Sequence, residues 1–471
     1  MPCEGRMTTI FENDYAPGGL VIYVPVSELS DYDDGRSFAE ASSKGVKRCL
    51  LAGRLTPLIM LPTSIRFNTA ELQALLGAFS EVYQPLQYRE SNFMSIPKIQ
   101  LWAMAPCFKG DQKQLFRLAL MYETARFVTR DIAGSDPERM CASRIEEYVK
   151  TLFKNSIINI TVIKEEQQLL KEYPLLHAVN RAASTVERHQ ARVIYLEYKP
   201  DEEPQRTIFL VGKGVTYDTG GADVKVGSAM IGMSRDKSGA AVVAGFMHLC
   251  NLIRPKKLRV VGAMACVRNS VGPEMYVADE IITSRSGMNV RIINTDAEGR
   301  MAMADVLTKC REEAETSPDP HLYTIATLTG HAQLTVGLGY SIVIDNSVAA
   351  YHDHAQKLQL AGEAVGQPFE ISKLRREDFA VAVSSVGKGE NLIQCLAGAS
   401  SRQMRGHQYP VAFLTLVSGL DKHGLTSEKP ISYSHLDITP SVLWPPEVTT
   451  GSPVVALAHL HLILEQSQMS C

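Results

Sequence analysis

The chain has 471 residues, of which 45% are hydrophobic and 21% are charged. These values lie near the average of globular proteins and argue against a disordered, collagen-like or coiled-coil chain. The formal net charge of -3 provides no excess of positive charge, so we expect neither nucleic acid nor an anionic membrane as a partner.

The first 130 residues alternate short apolar runs with amphipathic patterns. Strands are predicted at 19–26, 55–61 and 99–105, and helices at 69–83 and 111–131. This alternation is typical of a small α/β domain, which we place at residues 1–130. No glycine-rich phosphate-binding loop follows these strands, so a nucleotide site is not indicated. A scaffolding or oligomer-shaping role is the better hypothesis for this domain.

A helix is predicted next, at 137–154, with Asp136 as its N-cap and Pro137 in its first turn. Residues 131–160 would therefore connect two domains, the second of which occupies residues 161–471. From residue 158 onwards, strands are predicted at 158–163, 192–197, 207–211, 258–266, 323–328 and 340–345. The helices predicted among them lie at 237–252, 301–313, 355–365, 409–423 and 454–465.

This order of elements predicts a second, larger α/β domain with a mixed sheet that is covered by helices on both faces. Catalytic groups in such sheets gather at the carboxyl ends of the strands. The loop 384–401 is rich in glycine and serine and is a candidate border of a pocket.

The nine cysteines stand singly, and the sequence contains no Cys-x-x-Cys pair. This pattern argues against a structural zinc site or a thioredoxin-like site and is typical of a reducing compartment. The N-terminal residues lack the apolar core of a signal peptide, and no apolar stretch of ~18 residues could span a membrane. We therefore expect a cytoplasmic protein.

Two segments place charged residues directly after apolar strands. In Asp296-Ala-Glu298-Gly-Arg300 the charges recur at every second position, so in an extended chain they would project from one face. Converging carboxylates repel each other, and a divalent cation is the usual counter-charge. With Asp218 and Asp236 from the other segment, the cage would suit two metals ~3.5–4 Å apart, as in many hydrolases.

Simpler interpretations of these residues remain open. An Asp-x-Glu-x-Arg pattern also occurs in solvated, salt-bridged turns, and Lys213 and Lys225 are each typical of exposed turns or surfaces. His352-Asp-His354 is either a metal pair or a polar helix start, and His435 is either a ligand or a packed strand residue. The sequence contains neither the His-Glu-x-x-His of common zinc proteases nor the Gly-x-Ser-x-Gly of serine hydrolases.

Both segments resemble the signature regions of the leucyl (cytosol) aminopeptidase family. The members of this family are hexameric dinuclear zinc exopeptidases. Asn294-Thr-Asp-Ala-Glu-Gly-Arg300 is identical to the family's hallmark heptapeptide, and Val211–Gly221 is similar to its lysine–aspartate segment. The resemblance extends from about Arg130 to the C-terminus. Further similar segments are 230–236 and 269–273, which are most similar to the animal "probable aminopeptidase-like" branch, and 327–330 and 435–438. The N-terminal part resembles the family's macro-domain-like first domain.

The resemblance implies two divalent metals per subunit, with zinc favoured and manganese or magnesium as alternatives at the more readily exchanged position. Asp218 and Glu298 would contact both metals. Asp296 would hold the exchangeable metal, and Lys213 and Asp236 would hold the tighter one. Lys213 would bind as a neutral amine, which demands a lowered pKa.

The resemblance also implies two catalytic residues with cationic side chains. Lys225 would polarise the substrate carbonyl, and Arg300 would hold a bicarbonate that acts as general base. The residues that correspond to the family's substrate pocket are Met233, Thr327, Leu328, Gly330, Thr439 and Val442.

Several positions depart from the family's pattern. Lys237-Ser238-Gly239 stands where Met-Gly-Gly or Cys-Gly-Gly is usual, and His331 replaces a small residue. Thr439 and Val442 stand where other members place Ala and Met, and 380–385 lacks the usual acidic and amide residues. A preference for leucine is therefore not predicted.

The sequence thus predicts a metal-dependent aminopeptidase that uses a metal-activated water to remove N-terminal amino acids from peptides. A homohexamer of two stacked trimers is implied by the family. The alternative is a catalytically weak or inactive member that serves as a hexameric structural protein.

Overall fold

The computed structural model describes residues 8–14, 16, 18–26, 28–91, 96–383, 389–442 and 449–466. The chain divides into two compact units, one of residues 1–124 with 361–366 and the other of residues 125–360 with 367–471. The three segments 1–130, 131–160 and 161–471 stay a prediction. Within the described ranges, no helix is both long enough and apolar enough to cross a membrane.

The smaller unit contains two two-stranded sheets. β1 (Thr9–Glu12) pairs antiparallel with β2 (Leu20–Tyr23), and β3 (Leu58–Met60) pairs parallel with β4 (Trp102–Met104). Its helices are α1 (Arg36–Leu51), α2 (Ala70–Val82) and α3 (Leu86–Ser91). Residues 70–78 of α2 are all buried. The predicted α/β character of this part is confirmed.

The boundary between the units falls within α4 (Gln112–Gly134), which α5 (Ala142–Leu152) follows. The helix that the sequence predicts at 137–154 therefore begins later, at Ala142. The Oδ1 atom of Asp136 accepts the N–H groups of Glu138 and Arg139 at 3.0 and 2.9 Å. Asp136 thus caps a turn that precedes the helix, which is why the predicted start was wrong.

The strands of the larger unit are β5 (Asn159–Ile163), β6 (Arg192–Tyr198), β7 (Arg206–Asp218), β8 (Leu258–Asn269), β9 (Ile281–Thr283), β10 (Asn289–Arg291), β11 (Pro320–Ala326), β12 (Ser341–Asp345), β13 (Phe369–Lys373), β14 (Leu392–Ile393) and β15 (Ser432–Asp437). Eight of them form one sheet in the order β13-β12-β15-β11-β7-β8-β6-β5, and β14-β10-β9 form a second. The central strands β15, β11, β7 and β8 are parallel, whereas β12 and β6 run antiparallel to their inner neighbours. The predicted mixed sheet is confirmed.

The helices that follow α5 are α6 (Glu166–Glu172), α7 (Pro174–Asn180), α8 (Ser238–Ile253), α9 (Glu298–Ala314), α10 (Gly330–Val336), α11 (Ser347–Tyr351), α12 (His354–Ala364), α13 (Arg376–Ala382), α14 (Tyr409–Ser418), α15 (Thr439–Val442) and α16 (Val454–Ala458). The helix predicted at 409–423 is shorter than expected because Gly419 has a left-handed φ of 79° and ends it. The helix predicted at 454–465 changes to π geometry at 459–464.

The two faces of β7 are covered by different helices. Phe209, Val211 and Val215 alternate along the strand and belong to the core that includes α9. Gly212 faces the other way, where a Cβ atom would lie 2.5 Å from the carbonyl oxygen of Gly239 in α8. Glycine is required there because the strand and the helix approach so closely. The first turns of α8 and α9 thereby lie on either side of the carboxyl-terminal half of β7.

Candidate metal centre

Six of the seven residues predicted as metal-binding or catalytic lie in one cluster of ion pairs. They come from β7 and the loop after it, the turn before α8, the 3-10 turn before α9, and the first residue of α9: Lys213, Asp218, Lys225, Asp236, Asp296 and Glu298. Asp218, Asp236 and Glu298 each offer one carboxylate oxygen within 4.8 Å of the others. Such a separation allows these three side chains to share a metal ion.

The Lys213 side chain lies between two carboxylates inside the core and is only 4% exposed. Its Nζ atom is 2.8 Å from Asp236 Oδ1 and 2.8 Å from Glu298 Oε1. It also donates to the carbonyl oxygen of Thr327 at 2.8 Å. A Cβ atom on Gly299 would lie 2.5 Å from Lys213 Cε. The glycine that follows Glu298 therefore leaves the space through which the lysine reaches the cluster.

Lys225 bridges the other pair of carboxylates. Its Nζ atom is 2.9 Å from Asp218 Oδ2 and forms a second ion pair with Asp296. The side chains of Lys225 and Asp296 are 15% and 28% exposed, whereas those of Lys213 and Glu298 are 4% and 2% exposed. The Lys225 side of the cluster is therefore the more open one, from which a substrate could approach.

The cluster contains more negative than positive charge, since four carboxylates face two ammonium groups. Burial, Asp218 and Glu298 raise the pKa of Asp296 to about 7. Burial and Asp218 raise the pKa of Glu298 to about 8, against the opposite effect of Lys213. Burial also raises the pKa of Asp236. A divalent cation would offset both the burial and the mutual repulsion that raise these pKa values.

One carboxylate oxygen of the cluster is available as a ligand. Among the described residues, Asp236 Oδ2 is a buried oxygen with no hydrogen-bond partner. The other oxygen, Oδ1, is held by Lys213 and by the hydroxyl of Thr327 at 2.8 Å. A buried charged oxygen is costly without a donor or a metal. Carboxylates with one lysine amine form a donor set that fits magnesium, manganese or zinc.

The conformation of the heptapeptide differs from the extended chain that the sequence suggested. Residues 295–297 form a 3-10 turn, and Glu298 begins α9. The side chain of Asn294 accepts the Asp296 N–H at 2.7 Å and so initiates this turn. Residues two apart on a helix do not face each other, so Glu298 and Arg300 point to different surroundings. The idea that all three charged side chains share one face was wrong.

Arg300 is held outside the cluster of ion pairs. Its Nη1 atom donates to the carbonyl oxygen of Gln394 at 3.0 Å, and its guanidinium lies 5.6 Å from the centre of the Tyr409 ring. In the described part of the chain, its Nε atom is buried without a hydrogen-bond partner. This arrangement leaves a buried cationic donor that an anion could use.

Asp437 joins the two segments that were predicted to form the substrate pocket. Its Oδ1 atom accepts the Leu328 N–H at 3.3 Å and the Thr439 hydroxyl at 2.7 Å. Its Oδ2 atom accepts the Thr329 hydroxyl at 2.7 Å. The other predicted pocket residues open a 3-10 turn (Met233), contact Asp236 (Thr327), begin α10 (Gly330) and end α15 (Val442). Their role as pocket walls stays a prediction.

Sequence reasoning missed two polar residues, of which Asn269 holds the cluster and Asp437 holds the predicted pocket segments. Asn269, the last residue of β8, donates Nδ2 to Asp218 Oδ1 at 2.8 Å and to the Thr295 carbonyl at 3.1 Å. Asp437 is the last residue of β15. Asp218 itself ends β7, so a polar residue at the end of a buried strand was the signal that could have identified all three.

The lone histidines have partners elsewhere in the core. His435 is fully buried, and its Nδ1 atom is 2.7 Å from Thr324 Oγ1, as expected for a packed strand residue. His354 begins α12, as the helix-start interpretation predicts, and it is buried, with Nε2 2.8 Å from the Tyr323 hydroxyl. His352 is exposed. Of these two histidines, only His354 packs in the core, and its partner Tyr323 does not belong to the cluster.

Lys237 directly follows Asp236 and is completely buried. Its Nζ atom donates to the carbonyl oxygens of Ser135, at 2.9 Å, and Ser234. Burial lowers the pKa of this lysine to about 7. The lysine that stands here in place of the usual Met or Cys is thus a buried residue. It connects the turn before α8 to the chain that follows α4.

Comparison with known proteins identifies the family of the chain. The model of the cytosol aminopeptidase family, catalytic domain, matches residues 127–458. The "Putative aminopeptidase W07G4.4" of Caenorhabditis elegans is 43% identical over 448 residues, which cover 95% of this chain and 85% of that protein. A "Probable cytosol aminopeptidase" of Chlamydia trachomatis is 24% identical over 97% of this chain and 88% of its own length.

Solved structures share the fold. A chain described as "Bottromycin maturation enzyme BotP in complex with Mn" superposes with a TM-score of 0.81 and 20% sequence identity, over 98% of this chain and 93% of that one. A second structure, "Bottromycin maturation enzyme BotP", gives a TM-score of 0.78 over the same shares. The likeness covers both compact units of the chain.

The buried position of Lys237 predicts a specific pH dependence of stability. An unfolded lysine has a pKa of about 10.4, so between about pH 7 and pH 10 the unfolded chain binds more protons at this residue than the folded chain. Folding is therefore increasingly favoured as the pH rises through this window, by up to about 1.4 kcal/mol per pH unit. Lys237→Met should remove that part of the pH dependence.

The measurement is denaturant-induced unfolding of both proteins between about pH 7 and pH 9. The free energy of unfolding of the wild type should rise relative to that of Lys237→Met as the pH increases. Lys154→Met, at an exposed lysine, is the control and should follow the wild type. Parallel profiles for the wild type and Lys237→Met would show that Lys237 is not a buried titrating group.

Proposed function

Because the chain belongs to the cytosol aminopeptidase family, we propose that it is a metal-dependent aminopeptidase that removes N-terminal amino acids from peptides. The observation that carries the proposal is the buried cluster of four carboxylates and two lysines. The excess negative charge of this cluster favours the binding of divalent cations. All five proposed metal ligands and Lys225 lie in this cluster. That completeness favours an enzyme over a catalytically weak hexameric scaffold.

Two divalent ions per chain are proposed, with zinc at the tighter position and zinc, manganese or magnesium at the exchangeable one. Asp218 and Glu298 would contact both ions, and Asp296 would hold the exchangeable ion. Lys213 and Asp236 would hold the other. When bound, the ions would supply the Lewis acidity that lowers the pKa of a water molecule and polarises the scissile carbonyl.

Lys213 would serve as a neutral amine ligand. Its Nζ atom is 2.8 Å from both Asp236 and Glu298, and these carboxylates favour its ammonium form by raising its pKa. If the same carboxylates are shared with a dication, that stabilisation is lost and the burial of the lysine favours the neutral amine. The close packing around Gly299 keeps the nitrogen aimed at the cluster in either state.

Two cationic side chains would act on the reacting groups. Lys225, on the more open side of the cluster, would donate from Nζ to the carbonyl oxygen of the substrate and stabilise the oxyanion that develops there. Arg300, whose Nε atom is buried and unpartnered among the described residues, would hold a bicarbonate as general base. Neither side chain needs to bind a metal in this scheme.

The restriction to the first peptide bond would come from recognition of the substrate's α-amine beside Asp236. The side chain of the first residue would lie near Met233, Leu328, Thr439 and Val442. The hydroxyl of Thr439 is used by Asp437, which leaves the methyl group of Thr439 for the pocket. These side chains would give the substrate pocket an apolar wall. We propose no single preferred N-terminal residue of the substrate.

We place the protein in the cytoplasm as a homohexamer of two stacked trimers that acts on peptides with a free N-terminus. The name of the matching family and the resemblance of the signature segments support this assignment. Nucleic acids and membranes are not proposed as partners, because the net charge of -3 favours neither.

The exopeptidase assignment predicts dependence on a free amino terminus. Acetylation converts the α-amine into an amide, which has neither the amine's available lone pair nor its ability to bind beside Asp236. Peptides with a free amine should be shortened by one residue at a time, and their acetylated counterparts should remain intact, as followed by mass spectrometry. Cleavage of both sets at similar rates would contradict the proposal and indicate an endopeptidase.

A comparison of the two lysines separates catalysis from metal binding. Lys225→Ala should lower kcat by about 10²–10³, the usual cost of losing one oxyanion donor, while both metals are retained. Lys213→Ala should instead lose the tighter metal, and activity with it. Elemental analysis and steady-state kinetics on both variants provide the measurement. Full activity of Lys225→Ala, or unchanged metal content of Lys213→Ala, would contradict the assigned roles.

A further inference from the structure

The segment that carries Asp296, Glu298 and Arg300 begins with backbone groups that need external partners. Ile293 and Asn294 lie after the last residue of β10 and before the 3-10 turn 295–297. Their amides therefore have no place in a strand ladder or a helix. Because the segment is half-buried, these N–H groups require acceptors from another part of the chain.

Gln394 supplies these acceptors from a position about 100 residues further along the chain. Its Oε1 atom accepts the N–H groups of Ile293 and Asn294, each at 3.1 Å. Its Nε2 atom donates to the carbonyl oxygen of Ala297 at 3.2 Å. The side chain is completely buried. One amide group thus spans the turn that lies between the end of β10 and the start of α9.

The main chain of Gln394 is attached to the same region. Its N–H donates to the carbonyl oxygen of Arg291 at 2.9 Å, which extends the pairing of β14 with β10. Its carbonyl oxygen accepts Nη1 of Arg300 at 3.0 Å. Gln394 therefore contacts the heptapeptide segment both before and after Asp296 and Glu298.

Arg300 is fixed on its second side by a neighbour of Gln394. The guanidinium lies over the ring of Tyr409, and the Tyr409 hydroxyl donates to the carbonyl oxygen of Ile393 at 3.0 Å. The carbonyl oxygen of Ile393 thus holds the Tyr409 ring beneath the guanidinium. The next carbonyl oxygen, that of Gln394, holds the guanidinium itself. The direction of Arg300 depends on where this short stretch of chain lies.

From these contacts we propose that Gln394 is a positioning residue of the active site, which fixes the turn of Asp296 and Glu298 and the direction of Arg300. The inference rests on the proposed function. An amide suits this role because one side chain offers an acceptor with two lone pairs and a donor. The glycine- and serine-rich loop 384–401 contributes this residue, and its residues 384–388 lie outside the described part of the chain.

The chain contains a matched control for the same chemistry. Gln367 is also buried, and its Oε1 atom accepts two consecutive backbone N–H groups, those of Val455 and Ala456, each at 3.0 Å. These belong to α16 and not to the metal cluster. Gln367→Met and Gln394→Met therefore remove similar hydrogen bonds, but only the second should disturb the site.

The experiment measures the affinity for Mn²⁺ by isothermal titration calorimetry, together with kcat, KM and the thermal midpoint of each variant. Gln394→Met should bind Mn²⁺ about 10–100-fold more weakly, as is usual when a residue that orients metal ligands is lost. Its kcat should fall by a similar factor of about 10–100, with KM changed much less. Gln367→Met should lose a comparable amount of thermal stability but keep the wild-type affinity and kcat.

A second variant covers the case in which Gln394→Met does not fold. Gln394→Glu keeps the acceptor for Ile293 and Asn294 but cannot donate to Ala297, and it adds a negative charge. A fall in kcat of about tenfold is expected, with Gln367→Glu unaffected. Wild-type Mn²⁺ affinity and kcat in the folded Gln394 variants would overturn this inference alone. A wild type that neither binds Mn²⁺ nor cleaves peptides would overturn the proposed function and this inference with it.

Discussion

Four carboxylates and two lysines occupy one largely buried space beside the carboxyl end of β7, and the local chain is built around this excess of negative charge. Each lysine lies between two carboxylates, so every charge has a neighbour of opposite sign. The carboxylates still outnumber the lysines. Burial and the mutual repulsion of the carboxylates therefore raise the pKa of Asp296 and Glu298. A divalent cation would offset this charge, and the family to which the chain belongs supports the proposal that the site holds such ions.

The packing of the sheet explains how these charges are brought together. Gly212 allows α8 to approach β7 closely, and Gly299 leaves room for Lys213 to pass the first turn of α9. Polar residues at the ends of two strands then fix the chain in and beside the cluster: Asn269 on β8 holds Asp218, and Asp437 on β15 holds the loop after β11. The same parallel strands that form the apolar core thus bring the charged residues of the cluster to one edge of the sheet.

Much of this could be predicted from the sequence, because local patterns carry it. The alternation of strands and helices indicated the mixed sheet, and charged residues after apolar runs indicated the site. The conformation of Asp296-Ala-Glu298 could not be read from spacing, since the side chain of Asn294 begins a turn where an extended chain was expected. The role of Gln394 was equally hidden, because its contacts join segments about 100 residues apart. Such contacts depend on tertiary packing and leave no local pattern.

The central claim is that the excess negative charge exists to hold divalent metals. The most direct test is native mass spectrometry of the zinc-saturated protein, which counts the ions bound to each chain without any assumption about activity. Two zinc ions per chain are predicted for the wild type, and fewer for Glu298→Gln, since that side chain would contact both ions. A wild type that remains free of zinc at saturation, or a Glu298→Gln variant that still binds two ions as tightly, would contradict the account.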